Sequence, residues 1–419
     1  MGVPPAGPGG PRGFAGAKGR RLGRKKKVLL GAAGAVVLLG SVGAVAAVVS
    51  SGEDEPARRQ AEPSVSAAPP AWTVQAGRRL TSGTGLRYDG TMTVGGRPVQ
   101  LNLRLTPSGM ATGTLRAGLL KADVVAIDGD TFVKAGSAFW RKYVPEVRKT
   151  EYYAGRWSKA PESLPGFDVP GVLGPESIAR RLARAPAEPP TEDVNGVPAY
   201  KVEARGAEYL MDAAAPHRLL AVRPGGPNAP VLTVAPVAAP AAVFDELRAR
   251  VANLGGAADP GLRFRPGELK FSNCDKNPSG CTVSVPATLA APEGAVPEGA
   301  RVALRASVSS RGTPLGRCTS SQEVPADRSV TLRCTVTSKR WRDWVRNALD
   351  NPGSYPYEAT AHVVGEAVAA DAVDELLAKV DRERADVVKP TVPPTAEPGP
   401  ADGGSEPPQV ATSQPPGGS

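Results

Sequence analysis

The chain has 419 residues, 51 of them basic and 41 acidic, for a formal net charge of +10, with four cysteines and two histidines. Eight basic residues and no acidic ones fall in the first 50, so the remainder holds 43 against 41 and is nearly neutral. Charge confined to one tail excludes the broad basic face of a nucleic-acid-binding domain, and no nucleic-acid partner is expected.

Residues 1–27 are Gly, Pro and basic, and read as a disordered cytoplasmic tail. Arg12, Lys18, Arg20, Arg21, Arg24, Lys25, Lys26 and Lys27 stand ahead of a charge-free run over 28–50. About 20 apolar residues cross a bilayer as a helix, and basic flanks stay inside. The expectation is a single-pass cell-membrane protein with its N-terminus cytoplasmic and the bulk of the chain extracellular. A cleaved signal peptide is the rival, through Ala44-Val45-Ala46, but the apolar run exceeds the usual ~7–15 residues. Cys274 is the first cysteine, which excludes a lipidated N-terminal cysteine. Residues 51–71 are rich in Glu, Ala, Ser and Pro, and read as a linker.

The first folded segment is expected over 72–258. Val99, Leu101, Leu103 and Leu105 alternate with Gln100, Asn102 and Arg104, the period of a half-buried strand. Tyr88, Met92 and Val94 precede them, and Gly95-Gly96 marks the turn. Strands follow at 110–116, 119–127 and 131–134, the last two joined by Asp128-Gly129-Asp130 as a hairpin. Further strands read at 199–204, 208–211 and 218–222. One helix starts at Pro175 and presents Ile178 and Leu182. Another covers 241–254, with Phe244, Leu247, Val251 and Leu254 on one stripe and Gly255-Gly256 at its end. The expected fold class is α+β, mainly β: an antiparallel meander with helices across one face.

The second folded segment is expected over 259–386 as a small β-sandwich-like domain. Strands read at 281–288, 301–309, 329–337 and 355–364. A short helix over 341–349 stops at Asn351-Pro352-Gly353. A final helix over 371–384 lines up Val373, Leu376, Leu377 and Val380. Residues 387–419 are Pro- and Gly-rich and read as disordered. All four cysteines lie on the outer side, and the local disulfides Cys274–Cys281 and Cys318–Cys334 are favoured among three pairings. The C-x6-C and C-x15-C spacings lack the tight knuckles of a zinc site.

Catalytic chemistry is poorly supplied. His217 and His362 fall in different segments, and His217 reads as an exposed turn residue. No phosphate-binding loop, nucleophile elbow or metalloprotease motif occurs. Asp123, Asp128 and Asp130 lack further calcium-ligand spacing. No enzyme, metal or cofactor is expected. Trp341, Trp344, Val345 and Leu349 form a stripe that either packs on its own sheet or docks a partner. Phe132, Phe139, Trp140 and Trp157 either line an apolar cavity mouth or belong to the core.

Within 75–240 the order Gly113-Thr114-Leu115, Val124-Val125-Ala126-Ile127-Asp128-Gly129-Asp130-Thr131-Phe132-Val133-Lys134, Phe139-Trp140, Gly155-Arg156-Trp157, Asn195-Gly196-Val197-Pro198-Ala199-Tyr200-Lys201 and Pro216-His217-Arg218-Leu219-Leu220 resembles the LppX/LprG family of actinobacterial cell-envelope lipoproteins. The resemblance implies a LolA-like antiparallel half-barrel covered by helices, with an apolar cavity for the acyl chains of an envelope lipid or glycolipid. The chain departs from the family in lacking a lipobox cysteine and in adding a second segment. Leu103, Leu105, Val125, Ile127, Phe132 and Trp140 are the candidate cavity lining. The second segment resembles disulfide-bearing immunoglobulin-like modules of actinobacterial surface proteins through Cys318 and Cys334. The expected function is a membrane-anchored binding protein sheltering such a lipid. The alternative is a non-enzymatic scaffold contacting an envelope protein or polymer through the second segment and the tail.

Overall fold

Three hairpins set the start of the fold, because their turns need two successive residues with positive φ. Gly95 and Gly96 stand at 55° and 72°, Asp128 and Gly129 at 56° and 82°, and Asn195 and Gly196 at 54° and 83°. These residue types tolerate that region, and such turns match the twist of the strands they join. The structure is a computed structural model describing residues 68–388 apart from Arg148, residues 162–166 and Arg205. The expected basic tail and membrane span, most of the linker, and the tail beyond Val388 lie outside the described residues. Among the described residues no helix is long and apolar enough to cross a membrane. Those residues all belong to one compact unit, 66–419.

The elements run α1 (Ala71–Ser82), β1 (Leu86–Val94), β2 (Arg97–Leu105), β3 (Ala111–Ala117), β4 (Leu120–Ile127), β5 (Asp130–Ala135) and α2 (Ser137–Tyr143). Next come β6 (Trp157–Lys159), a π-helical turn (Val169–Leu173), α3 (Pro175–Leu182), β7 (Thr191–Val194), β8 (Val197–Ala204), β9 (Ala207–Asp212), β10 (Leu219–Pro224), β11 (Leu232–Pro236) and α4 (Pro240–Val251). The chain continues with β12 (Ala257–Ala258), β13 (Arg263–Pro266), β14 (Lys270–Ser272), β15 (Cys281–Ala291), β16 (Arg301–Ser310), β17 (Thr313–Glu323) and β18 (Ser329–Val336). It closes with α5 (Lys339–Asp350), β19 (Glu358–Val368) and α6 (Val373–Val387). The fold is mostly β with several helices, and its sheets do not close into a barrel.

A 15-stranded sheet runs in the order β17-β16-β19-β12-β6-β5-β4-β3-β2-β1-β11-β10-β9-β8-β7. Its pairings are antiparallel except β6 with β12. The two residues of β12 join the early strands to the late ones. The four-stranded sheet of β13, β14, β15 and β18 lies apart from it in pairing.

The expected alternation in β2 is present, with Val99, Leu101, Leu103 and Leu105 all buried. One correction concerns the helices, which cover both faces of the large sheet. On one face α1, α2 and α3 bury Leu80, Trp140, Ile178 and Leu182 against β1–β5. On the other, α4 and α6 bury Phe244, Leu247, Leu376 and Val380 against Val125 and Phe132. Strands apolar on both sides need cover on both sides. A third core lies between β15 and β18 of the small sheet and β16 of the large one, through Val283, Leu332, Val302 and Leu304. The helix expected from 371 extends to Val387, which is helical rather than the first residue of the tail.

Both local disulfides are present, Cys274–Cys281 and Cys318–Cys334. The second ties β17 of the large sheet to β18 of the small one, with 5.6 Å between the two Cα atoms. Close approach there requires Gly316, since a Cβ at that position would stand 2.4 Å from Val336 Cγ1.

Candidate functional site

The six candidate lining residues do not share one cavity. Leu103, Leu105 and Trp140 belong to the core beneath α1–α3. Val125, Ile127 and Phe132 belong to the core beneath α4 and α6. Each is at most 2% exposed. The split follows from strand geometry: Val125 and Ile127 alternate with Val124 and Ala126, which face the other way. The aromatic group divides likewise, with Phe139 and Trp140 on one face and Phe132 and Trp157 on the other.

Polar anchors hold the face beneath α1–α3 shut. The Tyr88 hydroxyl donates to the Leu173 carbonyl at 2.7 Å, and the Tyr209 hydroxyl to the Val172 carbonyl at 2.9 Å. Arg181 Nη1 donates to the Tyr209 hydroxyl at 2.8 Å. Burial, and then the nearby Tyr209, push the Tyr88 phenol well above its ordinary value. Gly77 lets α1 and α3 meet, because a Cβ there would sit 3.4 Å from Ala179 Cβ. On the opposite face, Arg250 donates to the carbonyls of Gly113 and Val124 at 2.6 and 3.0 Å and pairs with Glu246 at 2.7 Å. That network locks α4 onto β3 and β4.

Open concave space lies at the surface. One groove of about 700 Å³ is bounded by the C-terminal end of α1, the heads of β1 and β10, the end of β11 and the end of α6. Leu80 and Leu219 form its floor and are continuous with the core, while Arg79, Arg218, Glu383 and Asp386 stand on its walls. A second groove of about 760 Å³ is lined by Tyr152, Tyr153, Leu262, Phe264 and Val363. Burial, followed by Asp259 nearby, pushes the Tyr153 phenol up to about 12.

His217 borders the first groove. It is 9% exposed, not the exposed turn residue expected from its Pro-His-Arg setting. Trp72 and Tyr200 pack on its ring with centroids 6.0 Å away, and Nδ1 lies 3.1 Å from the Asp212 carbonyl oxygen. Its backbone takes φ of 53°, so the turn folds the ring inward. His362 instead contacts the Tyr152 ring at 4.4 Å, far along the chain from His217.

The three aspartates bind cations of the protein itself. Asp128 accepts from Lys379 at 3.0 Å, Asp130 from Lys159 at 2.8 Å, and Asp123 pairs with Lys121 at 3.3 Å. No cluster that could hold a metal occurs among the described residues. In the tryptophan stripe, Trp341 and Val345 are buried in their own core, and Leu349 is 46% exposed.

Sequence reasoning missed Glu383. Its carboxylate accepts from Ser108 N at 2.7 Å, Ser108 Oγ at 2.7 Å and Thr106 Oγ1 at 2.9 Å, fastening α6 to the loop after β2. Partners 275 or more positions away leave no local signal.

No family model and no curated protein matches the chain. Among solved structures it is similar to a chain of the Pseudomonas aeruginosa MucA/MucB complex, at 12% identity, with a TM-score of 0.23. The match covers 73% of this chain and 95% of that one.

Proposed function

We propose that this is a membrane-anchored, extracytoplasmic and non-enzymatic interaction module that binds a protein or polymer of the cell envelope at its surface grooves. One observation carries the reading: the candidate lining residues are buried in two separate filled cores, while the open space is superficial and of mixed polarity. Grooves with an apolar floor and charged walls suit a partner presenting both kinds of surface.

The resemblance to the LppX/LprG family supports a second reading, a LolA-like half-barrel that shelters acyl chains. In that case α1, the π-helical turn and α3 must lift from the sheet together, breaking the Tyr88 and Tyr209 hydrogen bonds to Leu173 and Val172 and uncovering Leu103, Leu105 and Trp140. Each methylene of an entering chain would contribute about 0.8 kcal/mol.

Whole-cell cross-linking followed by purification of the full chain, with organic extraction of the same material, separates the two. The expected result is a protein or polymer adduct mapped to a groove wall and no stoichiometric lipid. One lipid per chain, lost on Leu103→Trp, would overturn the interaction reading and establish the carrier.

A further inference from the structure

The groove of about 700 Å³ has two chemically different ends. It crosses the ends of four neighbouring strands. Leu105, Leu86 and Pro236 stand in register on β2, β1 and β11, and β10 begins beside them. Three strand intervals separate β2 from β10, roughly 14 Å. α6 closes the β2 side: Glu383 is held by Thr106 and Ser108, and Asp386 stands exposed with no partner among the described residues. Glu176 lines the groove from the start of α3, next to the residue whose ring Gly109 approaches. His217 and Arg218 close the β10 side, and Arg79 adds a second guanidinium from the last turn of α1. The β2 side is therefore acidic and the β10 side basic.

Between these ends the floor is apolar, and the sheet is split. Pairing of β10 with β11 stops at Ala221 and Thr233, so Leu219, Leu220, Val234 and Pro236 line the groove without pairing with one another. Leu220 is also skipped in the pairing of β10 with β9. At the basic end His217 offers a specific contact. Its ring is 9% exposed and held by Trp72 and Tyr200. A carbonyl oxygen can only accept, so Nδ1 donates to Asp212, and the neutral ring keeps Nε2 as an acceptor. Nε2 has no partner among the described residues and is not one of their enclosed atoms, so it opens to the groove that the residue lines.

We propose that this groove binds an extended peptide segment of a partner protein, with a Lys or Arg at the α6 end, an Asp or Glu at the β10 end and apolar residues between. Extended residues advance about 3.3 Å each, so roughly four of them span the groove. Opposite charges at the two ends fix the direction in which the segment lies. Nε2 of His217 accepts one of its backbone N–H groups. The proposal rests on the interaction reading above and narrows it to one groove and one class of partner. A cross-linked polymer, or an adduct at the other groove, would sink this proposal and leave that reading standing.

The test selects a displayed library of random peptides against the full chain. The expected winners carry a basic and an acidic residue about four positions apart with apolar residues between. Binding of a winner should weaken about fivefold or more on Asp386→Lys and return when the basic residue of the peptide is changed to Glu. Asp350→Lys, exposed at the end of α5 and outside the groove, changes the net charge equally and should leave binding unaltered. No enrichment, winners without the paired charges, or equal loss with Asp386→Lys and Asp350→Lys would overturn the proposal. Palmitate bound one per chain and lost on Arg218→Glu would also overturn it and assign the groove to an anionic amphiphile. Dimers of the full chain that Asp386→Lys breaks would overturn it in favour of a second copy.

Discussion

His362 shows how one side chain couples distant parts of the chain. Its ring lies against Tyr152 from a segment some 200 positions earlier. Burial lowers its pKa below the ordinary 6.5; Lys149, Arg156 and Arg305 lower it further, and Glu151 opposes them. The folded chain then binds fewer protons here than the unfolded one, so the contribution to stability is full above about pH 6.5 and is lost as pH falls through the depressed value. Melting temperature should fall between about pH 7.5 and about pH 5, and less so in His362→Gln, whose side chain stays neutral. Equal pH dependence in both proteins would show that His362 is not the sensor. Glu208 makes the same point in a static way. It is fully buried and paired with Arg223, which also holds Glu192 of the edge strand β7. Each of these residues looks ordinary in sequence, because its environment is supplied by strands remote in the chain.

At the scale of elements, patterning was legible wherever one face of a strand meets a core and the other does not. β2, the turns at Gly95-Gly96 and Asp128-Gly129, α4 and α6 lie where periodicity and turn residues placed them, whereas the Asn195-Gly196 turn went unread. Several elements went unread, α1, β11 and β17 among them. In α1, Trp72, Ala76 and Leu80 are buried among polar neighbours, too sparse to stand out. β11 is short and has one buried residue, Leu232. β17 reads Thr-Pro-Leu-Gly-Arg-Cys-Thr-Ser-Ser-Gln-Glu, almost without apolar alternation, because it lies at the end of the large sheet and is tied to β18 by a disulfide. That bond should therefore matter. Replacing Cys318 and Cys334 by Ala should cost roughly 3 kcal/mol from loop entropy, and replacing Cys274 and Cys281 about 2.5 kcal/mol, since the second loop is shorter. Urea unfolding of the two double variants checks both the size and the order.

Across the molecule, the large sheet runs through β12 without interruption, and α6 returns from the end of the described chain to cover β4 and β5. Arg384 meets Asp245 at 2.6 Å and Arg248 meets Asp381 at 3.0 Å, pairing α6 with α4. Early and late segments should then unfold together. Ending the chain at Ala370 removes Val373, Leu376 and Val380 from the core they share with Phe132 and Phe244. The expected outcome is a lower melting temperature of the early segment and binding of a hydrophobic dye; an unchanged transition would show that α6 only rests on the surface. What the sequence determined alone were the local quantities: the strand and helix periods, the turns that demand positive φ, and the nearby cysteine pairs. These depend on residues a few positions apart. Tertiary structure decided which face each strand turns to which core, that the candidate lining residues part into two cores, and where α6 comes to rest. Those outcomes depend on contacts between segments far apart in the chain, and no local period encodes which partner a buried face will meet.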